Sequence, residues 1–104
     1  MKHSPWGAVQ HETVIAPGIT SCSTAGHGGF HLDQEHRQRI KWAKNWLGTS
    51  EWWEEDCDWA IPFYFFREEI KANNHEHFDA HLEAAIKTII HYHPEFAKRE
   101  GLGG

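Results

Sequence analysis

SEWWEEDCDWAIPFYFF, residues 50–66, is the most distinctive stretch of this sequence because it concentrates tryptophan and acidic residues. It holds three of the six Trp and five acidic residues, with no Lys or Arg. Ser50 is a favourable N-cap, and Gly48 just before it is a favourable end for a preceding helix. The stretch therefore predicts a helix over about 51–61, which Pro62 would end or kink.

This helix would have an acidic face. At about 100° per residue, its carboxylates fall on one side and its apolar residues on the other, with a tryptophan-lined shoulder between them. The predicted partner-binding residues are Glu51, Trp52, Glu54, Glu55, Asp58 and Trp59. Two interpretations stay open: a solvated helix surface, or a surface that binds a basic partner such as a groove built for nucleic acid. A hard-metal site is less favoured because the stretch lacks the glycine-bearing loop of an EF-hand.

The charge of the whole chain can be assigned to this stretch. The sequence has 15 acidic residues and 10 Lys and Arg, for a net charge of −5. This balance argues against direct binding of nucleic acid or of a membrane surface.

The N-terminal residues MKHSPWG contain no apolar leader, and AIPFYFF is too short to span a bilayer. We therefore expect a cytoplasmic protein in which Cys22 and Cys57 are reduced. The alternative is a disulfide between these two residues.

The remaining patterns predict one α+β domain over residues 1–104, with an N-terminal arm at 1–7 and a loose tail at 101–104. Strands are expected over Ala8–Ala16 and Ile19–Ala25, joined by a turn at Pro17-Gly18, with a short third strand at 30–32. This three-stranded antiparallel meander, about 8–32, needs helices on one face. We expect helices over about 34–47, 51–61 and 75–92, the last ending before Pro94.

The run STAGHGG, residues 23–29, is a second candidate site. Consecutive glycines let backbone N–H groups converge on an anion or on a close partner, and His27 could act as a base toward a neighbouring thiol or hydroxyl. The residues of this possible anion or ligand turn are Ser23, Thr24, Gly26, His27, Gly28 and Gly29. The alternative is a tight turn whose glycines adopt positive φ. The spacing matches no P-loop and specifies no orienting carboxylate, so catalysis is not predicted.

Ten histidines in 104 residues raise the question of a metal. His77 and His81 are four residues apart, a spacing that lets two imidazoles on one helix share an ion. The HExxH motif is absent because Phe78 follows His77. The alternative is a solvated flank of neutral histidines. No cofactor is predicted, and His77 and His81 stay the metal candidates.

Three motifs together carry a resemblance. They are Pro5-Trp6-Gly7 with Gln10, then Pro17-Gly18-Ile19 leading to the 23–29 turn, then Glu54-Glu55-Asp56-Cys57-Asp58-Trp59-Ala60. In that order they resemble a domain-of-unknown-function family of small proteins found on phages, plasmids and related mobile elements. The resemblance covers about residues 5–62. It implies an accessory gene and a bacterial or phage context, and it assigns no chemistry.

Small acidic accessory proteins of phages, among them anti-CRISPR and anti-restriction inhibitors, commonly act by stoichiometric binding. By that analogy we expect a non-enzymatic protein that binds a basic surface of a host nucleic-acid-binding protein or defence complex. It would contact no nucleic acid and no membrane directly, and six Trp leave room for a homodimer. The alternative is a small metal- or anion-dependent enzyme or ligand-binding module that uses His27 and His31, with Cys57 or Asp56 brought close. A virion or plasmid structural part is a third possibility.

Overall fold

The structure is a computed structural model that describes residues 3–43 and 48–103. Within these ranges the chain is α+β, with six strands and five helices. The strands are β1 His3–Ser4, β2 Gly7–Ala8, β3 His11–Ala16, β4 Ile19–Ser23, β5 Gly28–Leu32 and β6 Trp52–Glu54. The helices are α1 Gln34–Arg39, α2 Ala60–Phe65, α3 Arg67–Ala72, α4 Phe78–Tyr92 and α5 Pro94–Arg99. None of the helices in these two ranges has the length and apolar character needed to cross a membrane.

Two antiparallel sheets replace the predicted single meander. The larger sheet has the order β3-β4-β5-β6, and β1 pairs with β2 in a separate ribbon. The prediction of three strands and three helices is therefore wrong, although the α+β class agrees. The N-terminal arm pairs with itself, and Pro5 occupies the turn between β1 and β2. The predicted hairpin between β3 and β4 is present and turns at Pro17-Gly18, where Gly18 has a φ of +87°.

The predicted helix over 51–61 is also wrong, because β6 occupies its first part and α2 begins only at Ala60. Trp52 and Trp53 are both buried, at 7% and 0% exposure. Successive residues of a strand point to opposite faces of the sheet, whereas successive residues of a helix lie only about 100° apart. A strand therefore buries both indoles, one on each face. Pro62 is tolerated in the first turn of α2, where no intrahelical N–H bond is lost.

The other two predicted helices are shorter than expected. Asp33 caps α1 as predicted, and its carboxylate accepts the N–H of His36 at 2.9 Å. However, α1 ends at Arg39, and residues 44–47 of the prediction lie outside the described residues. Helix α4 ends at Tyr92 as predicted, because Pro94 opens α5. It begins later than predicted, since Asn74 and His77 have positive φ values of 58° and 57° that no regular helix accommodates.

Apolar side chains cover both faces of the four-stranded sheet. The main core lies between one face and the helices, and it includes Trp53, Phe63 and Ile89. A smaller cluster comprises Val9, Cys22 and Trp52, with Trp6 packed against it. The indole rings of Trp6 and Trp52 meet edge to face at 5.7 Å. The N-terminal ribbon therefore covers the face of the sheet that the helices leave open.

A buried histidine links α1 to α3. The ring of His36 donates from Nδ1 to Asp33 Oδ1 at 2.6 Å and from Nε2 to Glu69 Oε2 at 2.7 Å. Because both partners are carboxylates, the ring is doubly protonated in this arrangement. Burial alone would lower the pKa of His36, but the hydrogen bonds with Glu69 and Asp33 outweigh it and raise that pKa above 6.5. His36 therefore stabilises the fold as a cation.

We expect the free energy of unfolding to fall as pH rises above neutrality. A folded-state pKa above the unfolded value means that the contribution of His36 is fully present below about pH 6.5 and is lost as pH rises through the folded pKa. The measurement is urea unfolding at pH 6 and pH 9. The matched control is His36→Gln, which should remove most of this decline. An equal decline in the variant would show that other groups cause it.

Candidate functional site

The two stretches singled out in the sequence lie side by side at one end of the larger sheet. Gly29 pairs with Glu54 across β5 and β6, and the N–H of Glu55 donates to the carbonyl of Gly28 at 2.9 Å. The turn between β4 and β5 therefore adjoins the segment that follows β6. We call residues 54–58 the acidic turn and residues 24–27 the hairpin turn.

The polar groups of the hairpin turn form hydrogen bonds with one another. The N–H of Thr24 donates to the carbonyl of His27 at 2.7 Å, and the N–H of His27 donates to Thr24 Oγ1 at 3.1 Å. These N–H groups are therefore not free to converge on an anion. Gly26, Gly28 and Gly29 also lack positive φ, so the alternative of a left-handed turn does not explain the glycines either.

Close packing explains the paired glycines instead. Gly28 and Gly29 are buried residues of β5. A Cβ on Gly29 would collide with the Trp53 carbonyl and would lie 2.6 Å from the ring of Trp6. A Cβ on Gly28 would lie 2.9 Å from the carbonyl of Cys22. The glycines thus let β6 and the N-terminal ribbon approach β5.

The acids predicted to form one face have separate roles. Glu51 accepts a hydrogen bond from His31 Nε2 at 2.9 Å and lies 3.8 Å from Arg37. Glu54 Oε1 accepts the N–H groups of Asp56 and Cys57 at 3.0 and 3.1 Å, so this carboxylate shapes the acidic turn.

Only part of the predicted contact set is accessible. Glu55 is exposed, as is the neighbouring Asp56. Asp58 is 3% exposed and Trp52 is 7% exposed, so neither presents a side chain to a partner. Trp59 is half-buried against Phe30 and Phe63, with ring centroids at 6.2 and 5.6 Å. The tryptophan shoulder of the predicted helix does not form.

Cys57, Asp58 and His93 form a cluster that the sequence did not reveal. Their ligand atoms all lie within 4.8 Å of one another. Cys57 Sγ is 3.8 Å from Asp58 Oδ1, and His93 Nε2 is 3.6 Å from the same oxygen. The acidic turn carries the first two residues, and the junction between α4 and α5 carries the third. No short motif spans a separation of 36 residues, so only the fold could bring them together.

The cluster does not activate the thiol as a nucleophile. Burial, followed by the charges of Asp58 and Glu54, raises the pKa of Cys57 to about 11. The thiol therefore stays protonated near neutral pH, whereas a nucleophilic cysteine needs a lowered pKa. His93 Nε2 donates to the Cys57 carbonyl at 3.1 Å and not to the sulfur.

His93 also lines a cleft of about 550 Å³ with Trp42, Phe96 and Arg99.

The two histidine metal candidates, His77 and His81, are not arranged on one helix as their spacing suggested. His77 precedes α4, so it and His81 do not stand on one helix. His81 Nδ1 instead pairs with His75 Nε2 at 2.8 Å. Burial, followed by the charge of His81, lowers the pKa of His75, which favours a neutral ring. Within residues 3–43 and 48–103, these histidines are not part of any group of three metal-ligating atoms within 4.8 Å.

The chain belongs to a family described as "Domain of unknown function (DUF7007)", whose model matches residues 1–101. This match confirms the expected membership in a family of unknown function, and its description states no activity. No curated protein and no solved structure matches the chain.

Proposed function

We propose that this protein acts by stoichiometric binding of a basic protein surface through its acidic turn and the adjoining hairpin turn. The observation that supports this proposal is the exposure of Glu55 and Asp56 next to the exposed hairpin residues Ala25 to His27. In the described part of the chain, neither carboxylate forms an ion pair with Lys, Arg or His. Unneutralised carboxylates raise the local negative potential and attract a partner of opposite charge.

The proposed partner is a protein that handles nucleic acid. Such proteins hold phosphates in grooves lined by Lys and Arg, and carboxylates on a rigid turn can occupy the same grooves. Glu54 supplies the rigidity, because its side chain accepts two N–H groups of the acidic turn. Together with the phage-like motifs, this favours an inhibitor of a host defence complex, of the anti-CRISPR or anti-restriction type, acting in the bacterial cytoplasm.

The test is charge reversal at the two exposed acids. Glu55→Lys/Asp56→Lys should raise the dissociation constant by about 100-fold or more, because each change replaces attraction by repulsion. Glu54 is left unchanged, since its reversal would disturb the turn itself. The partner is first captured from host lysate at low and moderate salt, and its affinity is then measured with purified components.

The matched control is Glu83→Lys/Glu95→Lys, which changes the net charge equally but alters exposed acids of α4 and α5. We expect this control to retain most of the affinity. Equal losses in both double variants would attribute binding to net charge and not to the acidic turn. Full binding by Glu55→Lys/Asp56→Lys would contradict the proposal, provided that its circular dichroism matches that of the parent protein.

A further inference from the structure

Two of the three spacings within the Cys57, Asp58 and His93 cluster are close to those of a metal centre, and the third, from sulfur to nitrogen, is within 4.8 Å. Bonds of about 2.0–2.3 Å to a tetrahedral Zn²⁺ ion place its ligand atoms about 3.3–3.6 Å from one another. The sulfur and the imidazole nitrogen lie 3.8 and 3.6 Å from Asp58 Oδ1. A separation of 3.6 Å is too long for a nitrogen-to-oxygen hydrogen bond. The approach of His93 to Asp58 therefore suits a bridging ion better than a direct hydrogen bond, whereas the Cys57 thiol lies within hydrogen-bonding distance of the same oxygen.

We propose that Cys57, Asp58 and His93 bind one Zn²⁺ ion, leaving a fourth coordination position open. The donors would be the Cys57 thiolate, one Asp58 carboxylate oxygen and one ring nitrogen of His93. Three protein ligands plus an open position are the arrangement that zinc adopts where a small molecule or water completes the coordination. The Cys57 side chain is half-buried, which leaves a route by which the ion can enter.

Charge balance favours the ion. The thiolate and the carboxylate together carry two negative charges, which a divalent cation neutralises in a site where an unbalanced charge is costly. The Asp58 carboxylate, whose Oδ1 lies 3.8 Å from the sulfur, also attracts the cation that replaces the thiol proton. On binding, the sulfur–zinc bond forms and the thiol proton passes to solvent. No electron is transferred.

Binding of the ion would change two contacts in this region of the chain. His93 Nε2 now donates to the Cys57 carbonyl, so the ring must give up that hydrogen bond if this nitrogen is to bind the ion. The bound ion would also link the acidic turn to the junction between α4 and α5.

Mixed sulfur, nitrogen and oxygen donors favour Zn²⁺ over Mg²⁺ and Ca²⁺, which prefer oxygen alone.

The experiment is titration of the reduced, metal-free protein with CoCl₂, because Co²⁺ occupies zinc sites and its spectrum reports the ligands. We expect one Co²⁺ per chain, with a thiolate-to-cobalt charge-transfer band in the near ultraviolet and the visible bands of tetrahedral Co²⁺. One equivalent of ZnCl₂ should abolish this spectrum, whereas excess MgCl₂ or CaCl₂ should leave it. A missing charge-transfer band would overturn the proposal.

Matched variants assign the ligands. Cys57→Ser should abolish the charge-transfer band, while Cys22→Ser, which alters the other cysteine, should retain it. His93→Gln should weaken Co²⁺ binding by about tenfold or more, whereas His77→Gln/His81→Gln should bind as the parent does. Loss of the band in Cys22→Ser together with its retention in Cys57→Ser would overturn the assignment. Circular dichroism of Cys57→Ser separates loss of the site from loss of the fold, and no binding partner is needed.

Discussion

Replacing Trp53 by alanine is expected to cost about 3–5 kcal/mol of unfolding free energy, the usual range for removing a buried large aromatic side chain. Trp53 has no exposed surface and lies in the main core, while its indole N–H donates to the carbonyl of Ser50 at 2.8 Å. Because a domain is commonly stable by only about 5–15 kcal/mol, this single change would remove a large share of the total. The measurement is equilibrium urea unfolding at 25 °C.

Trp53→Phe is the matched control, since it keeps an aromatic ring in the core but removes the indole N–H. We expect it to lose less stability than Trp53→Ala. A loss for Trp53→Ala below about 1 kcal/mol would be typical of a surface substitution, and it would show that the core does not depend on this ring. Equal losses in the two variants would instead assign the effect to the hydrogen bond with Ser50.

Gly29→Ala is expected to destabilise the protein by about 3 kcal/mol or more, at the upper end of the range for overpacking. The added methyl group would collide with the Trp53 carbonyl and would lie 2.9 Å from Glu54 Cα. Both contacts are with the backbone of β6, so no side-chain rotation can relieve them. We therefore expect β6 to separate from β5, which urea unfolding and near-ultraviolet circular dichroism of the tryptophans would both record.

Gly26→Ala is the matched control in the same hairpin. A Cβ at Gly26 meets no atom within 4 Å, and its φ is not in the positive range. We expect this variant to be as stable as the parent or about 0.4–1 kcal/mol more stable, because alanine restricts the unfolded chain. If Gly29→Ala behaved like Gly26→Ala, the close approach of β5 and β6 would not be required for folding.

Local signals in the sequence were sufficient where an element depends on its own residues. Pro17-Gly18 marked the turn between β3 and β4, Asp33 marked the start of α1, and Pro94 marked the end of α4. Each of these depends on backbone dihedral preferences or on a hydrogen bond to a neighbouring N–H group. Such effects act over a few residues and can be recognised without knowledge of the fold.

Strand β6 could not be predicted in the same way. It is three residues long, so alternation along it is too short to recognise, and its acids happen to recur at helical spacing. Its partner β5 lies about twenty residues earlier, where His31 pairs with Trp52. The tertiary requirement to bury two adjacent indoles outweighed the helical pattern.

The cluster of Cys57, Asp58 and His93 and the ion pair of His36 were missed for a related reason. The Cys57 and His93 side chains meet only because α4 returns its end to the acidic turn. The ion pair of His36 likewise needs Glu69 from a distant helix. The sequence identified the acids and histidines as unusual, but their partners depend on the packing of distant segments. Composition therefore indicated where chemistry could lie without indicating which residues would share a site.

The order of strands in the larger sheet also affects how fast the protein folds and unfolds. Strands β3 to β5 follow one another through short turns, whereas β6 reaches β5 only after residues 33–51 have closed a loop. Loop closure costs entropy before the new contacts compensate for it, so we expect the hairpins to form before the rate-limiting barrier and β6 to dock after it. Contacts formed after the barrier mainly slow unfolding. Trp53 would then affect the lifetime of the native state more than it affects the rate of folding.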